Sequence, residues 1–167
     1  YKNYFKEIQR GETQQEAFNT VLKLGVFTEE SYLGQYSSGM FSYADLEANF
    51  QGLLFGVDLC EGDDPYLSYS EKGGWVSRKP IDMTKYLNPN WDESFNSSYY
   101  KPAKWEDIEK ILLTEYCPLL KNDRIVQLRH YYQSILKPSL ASVDLTTLKE
   151  QGDIPNNVEN DISTVCH

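Results

Sequence analysis

At 167 residues, 40% hydrophobic and 25% charged, the chain has the size and composition of one globular domain with a single ordinary core, far from the signature of disorder. A formal net charge of −9 argues against a surface built to neutralise phosphates, because nucleic-acid affinity rests on clustered Lys and Arg, and it disfavours an anionic membrane for the same reason. The longest apolar stretch, Gly52 to Val57, falls far short of the ~20 residues that span a bilayer.

In chain order, Tyr4, Phe5 and Ile8 recur at helical spacing over residues 2–10, and Gly11 supplies the stop. Thr13 with Glu16 is a capping box opening a second helix, whose stripe of Ala17, Phe18, Val21, Leu22 and Leu24 is expected to end at Gly25. A helical turn is expected at Thr28 to Leu33, then a loop at Gly34 to Gly39. The organising element is a helix over Ser42 to Cys60, started by Ser42 and Asp45. Tyr43, Leu46, Phe50, Leu53, Val57 and Cys60 share one face, and Ala44, Phe55 and Leu59 lie on the far side. Only Glu47, Gln51 and Asp58 remain as a plainly polar wedge, so the helix reads as covered on more than one side. Ala48, Gly52 and Gly56 form a small-residue lane that predicts close approach of another backbone, and a cover over it would demand interior partners for Asp45 and Asn49.

Beyond Cys60 the period changes. Residues 66–78 read as a β-hairpin turning at Glu71-Lys72-Gly73-Gly74, which must pack on the helices because an isolated hairpin is marginal in water. Asp82 to Tyr86 suits a helical turn, whereas residues 87–101 show neither period and read as a long aromatic loop. Trp105, Ile108, Ile111, Leu112 and Tyr116 mark a helix from Pro102 to Cys117-Pro118. Asn122 caps the next, with Ile125, Leu128, Tyr132, Ile135 and Leu136 on one side and His130 opposite. A weaker last helix runs from Ser142 to Glu150 and ends at Gly152. The expected fold is therefore mainly α: a single compact domain over residues 1–167, of five to seven helices, with a buried central helix, one small hairpin and the aromatic loop packed over the bundle.

Three cysteines allow one disulfide and leave a thiol over. Cys60 belongs to the apolar face of the central helix, so the favoured pair is Cys117 with Cys166, tying down a polar tail; three reduced thiols are the alternative. The sequon Asn96-Ser97-Ser98, the many Asn and Ser, and thirteen Tyr lean toward an exported protein, extracellular or periplasmic. No signal-peptide pattern is read, but a chain opening on Tyr1 rather than Met leaves room for a removed leader or upstream region.

Chemistry is concentrated in the loop. Trp91, Tyr99 and Tyr100 offer flat apolar anchors, and Asp92 and Glu93 offer hydrogen bonds or an orienting charge, the combination a protein or glycan ligand needs. The plainer reading is that these rings pin an irregular loop to the helices. A second class of function is a glycan hydrolase with Asp92 or Glu93 as acid beside Trp91 and a second carboxylate from Asp63, Asp64 or Asp82. Asn88, Asn90 and Asp92 imitate the start of a calcium loop, but Glu93 stands where its glycine belongs and Tyr99 where its bidentate Glu is required; a looser oxygen site would draw on Glu61, Asp63 and Asp64. Two histidines, His130 and His167, and three separated cysteines match no zinc spacing, and a Cys117–His130 nucleophile pair lacks an orienting third group. No cofactor is expected, because neither a phosphate-cradling glycine loop nor a dinucleotide fingerprint is present. The leading reading is a non-enzymatic recognition module, of open oligomeric state, whose contact surface lies in residues 88–100.

Overall fold

A computed structural model describes residues 1–31, 33–62, 64–135, 137–156 and 162–166. Asp63, Leu136 and His167, singled out above, lie outside them. Helix α1 (Lys2–Gln9) leads into α2 (Gln14–Glu30), where Thr13 and Glu16 form both halves of the expected capping box. A single turn, α3 (Gln35–Ser38), precedes strand β1 (Met40–Phe41) and the central helix α4 (Tyr43–Cys60). Strands β2 (Leu67–Ser70) and β3 (Gly74–Ser77) pair as the expected hairpin, with Tyr69 opposite Trp75. Two 3-10 turns, Met83–Lys85 and Pro89–Trp91, lead to β4 (Tyr99–Tyr100). Then come α5 (Pro102–Ile111), α6 (Asp123–Ile135), α7 (Leu140–Gln151) and the short α8 (Ile162–Val165). The architecture is mainly α, with six α-helices of eight residues or more among the described residues.

Helix α4 is continuous and central. Ser42 Oγ accepts from Asp45 N–H at 3.1 Å, and Tyr43, Leu46, Phe50 and Leu53 are buried along one face. Leu46 and Phe50 join Leu22 and Val26 of α2 and Ala141 and Leu145 of α7 in one apolar cluster, closed by Phe41 and Ile154. A second cluster, Tyr4, Ala17 and Leu53, seats α1, with Tyr4 stacked on Phe18 at 4.8 Å between ring centres. Tyr43 carries the tail as well: its hydroxyl donates to the Pro155 carbonyl, and burial pushes its pKa upward.

Several expectations need correction. Helix α2 does not stop at Gly25 but runs on to Glu30, absorbing the start of the separate turn expected at residue 28. A Cβ on Gly25 would lie 2.9 Å from Leu46 Cδ2, so this glycine admits α4 against α2 instead of ending a helix. The small-residue lane is only half used. A Cβ on Gly56 would meet the Tyr1 ring at 2.7 Å, whereas Gly52 is exposed with nothing within 4 Å, and Asp45 and Asn49 are exposed rather than interior. Gly52→Ala is therefore expected to stabilise the protein by about 1 kcal/mol, while at Gly25 the same helical gain is offset by displacement of the buried Leu46 methyl, so Gly25→Ala is expected to stabilise less than Gly52→Ala or to destabilise; urea midpoints of the two variants check the order.

The hairpin is less covered than its isolation demands. Tyr66 is buried at its base, but Tyr69, Trp75 and Val76 stand exposed. Regular helix after Pro102 ends at Ile111, and a π-turn (Leu112–Tyr116) followed by a 3-10 turn (Cys117–Lys121) carries the chain past Pro118. The stripe on α6 is not a core face, since Leu128, Tyr132 and Ile135 are exposed and α6 buries no described residue. The expected disulfide is present: Cys117 bonds Cys166 with their Cα atoms 5.1 Å apart, and Cys60 is free. No described helix is long and apolar enough to cross a membrane.

Candidate functional site

The loop over residues 87–101 is crossed by hydrogen bonds from its own polar groups. Asn88 Oδ1 accepts from the Asn90 N–H at 2.9 Å and starts the 3-10 turn that presents Trp91. Asn96 Nδ2 donates to the Asn90 carbonyl at 3.1 Å, so the sequon's amide is turned inward. The Glu93 carboxyl accepts from Ser98 Oγ at 2.9 Å and from Tyr100 Oη at 2.7 Å, crossing the loop. Burial, and then this bond to Glu93, raises the Tyr100 pKa. The loop's end pairs with β1, Met40 opposite Tyr100 and Phe41 opposite Tyr99. On the other side Arg129 of α6 donates to the Ser94 carbonyl at 3.2 Å and lies over the Phe95 ring.

These contacts divide the five predicted residues. Trp91, 37% exposed, and Asp92 face solvent, and Asp92 Oδ1 accepts from the Ser94 N–H at 2.8 Å. Tyr100 is 7% exposed and Tyr99 packs on the main apolar cluster, so both rings pin the loop, and Glu93 spends both oxygens inside it. Asp92 and Glu93, adjacent in sequence, thus serve different environments.

What the residue pattern missed lies beneath the loop. Glu47 and Gln51, read as a polar wedge, are buried, Glu47 completely at 0% exposure. The Glu47 carboxyl accepts from Gln51 Nε2 at 2.8 Å, Asn88 Nδ2 at 3.0 Å and Ser139 Oγ at 2.5 Å, and forms no ion pair among the described residues. Three neutral donors from three segments satisfy it, the condition under which a buried polar group is tolerated. Ser139 is also the N-cap of α7, reciprocally bonded with Ser142. The only advance signals were Ser139-x-x-Ser142 after Pro138, a start for α7 three residues earlier than read, and the i,i+4 spacing of Glu47 and Gln51 on a helix apolar nearly all round. A second buried acid, Glu29, accepts from the Ser42 N–H at 3.3 Å, and burial raises its pKa.

Glu47 thereby fixes two walls of a cleft. Asn88 leads into the turn holding Asn90, Ser139 begins α7, and between them opens a cavity of about 470 Å³ lined by Asn90, Lys137, Pro138, Ser142, Val143, Thr146 and Thr147. That volume lies within the range of small-ligand sites. Among the described residues, no carboxyl side chain and no aromatic ring belongs to the lining. Asp64 is exposed, paired with Lys79, and Asp82 caps the Met83–Lys85 turn, so each carboxyl has a local role. No group of three or more His, Cys, Asp or Glu is arranged to hold a metal among the described residues. No family model, curated protein or solved structure matches the chain.

Proposed function

We propose that the protein is a non-enzymatic recognition module whose contact surface centres on the Pro89–Trp91 turn and the cleft beside it. The observation that carries this reading is a loop bonded internally by Glu93, Asn88 and Asn96 that still presents Trp91 and Asp92 to solvent. Ordering an exposed indole in advance lowers the entropy cost of binding, and such aromatic anchors dominate interface energetics. The hydrolase alternative draws less support, because Glu93 is committed to Ser98 and Tyr100 and the cleft lining contains no carboxyl among the described residues. The Cys117–Cys166 bridge favours an oxidising compartment, hence an extracellular or periplasmic site of action.

The test is Trp91→Ala with Asp92→Ala, screened against displayed peptide and glycan libraries. The expected result is at least about a tenfold weaker hit binding for Trp91→Ala with an unchanged unfolding midpoint. Undiminished binding, or a molecule that unfolds, would assign the indole to structure.

A further inference from the structure

Asn90 is the most unusual polar residue of the cleft. It is 8% exposed, and its backbone N–H and carbonyl are both used, yet its side-chain carboxamide makes no hydrogen bond among the described residues. Its carboxamide atoms are open to the cleft rather than sealed, since Tyr66 Oη is the one fully buried side-chain polar atom without a partner among the described residues, so the amide can exchange water for a ligand that enters there. Across from it, Thr146 and Thr147 donate their hydroxyl protons to the carbonyls of Ser142 and Val143, so their oxygens can only accept. Pro138 and Val143 supply apolar wall, and Lys137 is exposed, in no ion pair among the described residues.

From this lining we infer that the cleft binds the carboxyl-terminal end of a peptide whose last residue is apolar. The last peptide group matches the Asn90 carboxamide, one donor and one acceptor on each side. The apolar side chain rests on Pro138 and Val143, and the terminal carboxylate meets Lys137. Among the described lining residues a neutral sugar would find no ring to stack on and leave Lys137 unused, and a ligand carrying an ammonium would find no acid. The inference rests on the recognition reading and gives that module a ligand class.

The smallest probe with all three features is N-acetyl-leucine. Added to the intact 15N-labelled protein, it should shift the Asn90 side-chain amide and the backbone signals of Val143, Thr146 and Thr147 saturably, with a millimolar-range Kd. N-acetyl-leucine amide should bind several-fold more weakly, and N-acetylglucosamine should leave these signals in place. Lys137→Gln, at an exposed position, should reduce the acid to the level of the amide, and Asn90→Ala should abolish saturation with both. Trp91→Ala should leave the titration unchanged, which separates failure of this inference from failure of the Trp91 surface. Absence of saturable shifts, equal binding of acid and amide, or a preference for the sugar would overturn the assignment.

Discussion

Glu47→Ala is expected to destabilise the protein by at least about 3 kcal/mol, lowering the thermal midpoint by roughly 10 °C. The truncation removes the acceptor of the buried Gln51 amide and of the half-buried Asn88 amide and Ser139 hydroxyl, and the desolvation penalty is largest at Gln51, the most enclosed of the three. Glu47→Gln retains the shape and can turn its NH2 toward Ser139 Oγ, a hydroxyl able to accept, while its oxygen keeps Gln51 and Asn88, so a smaller loss than for Glu47→Ala is expected. A double-mutant cycle with Ser139→Ala should give a coupling of about 0.5–3 kcal/mol, since the two groups share one bond. Urea unfolding of the four proteins measures all of this, and a loss below about 1 kcal/mol for Glu47→Ala would mean that the three donors have water. Because the same carboxyl spaces Asn88 from Ser139, the variant should also broaden the cleft signals in NMR spectra before the protein unfolds.

Reduction of Cys117–Cys166 is expected to cost about 4 kcal/mol, the loop-closure entropy released when a link between residues 49 apart is cut. A Cys117→Ser, Cys166→Ser protein should show the same urea midpoint with and without reductant, and the parent should fall to that value only when reduced. Free thiol titration should find one thiol, Cys60, in the oxidised parent. Coincident midpoints for reduced and oxidised parent would show that non-covalent contacts such as those of Tyr43 and Ile154 hold the tail without the bridge.

The sequence by itself determined the elements whose signals are local. The run from Ser42 to Cys60 carries its own cap and a long apolar repeat, so α4 was readable end to end, as were the Thr13–Glu16 box, the 66–78 hairpin and the stop at Gly152. Periodicity placed Cys60 on an apolar helix face and so favoured Cys117 with Cys166 as the pair, but only the structure decided between that bridge and three reduced thiols. Tertiary structure alone decided which polar positions were interior. Glu47 and Gln51 on one side of α4, and Asp45 and Asn49 on another, are equivalent in any periodic pattern, yet the first pair is sealed and the second exposed. The difference is made by Asn88 and Ser139, distant in the chain, whose donors arrive only when the loop and α7 close over that face. Gly25 reads as a stop until Leu46 lies against it, and β4 has no meaning until β1 is beside it. The candidate site follows the same division. Trp91 and Asp92 could be named from residue types, whereas the cleft exists because two segments far apart in sequence share one buried carboxyl, and no local signal encodes a distance between segments.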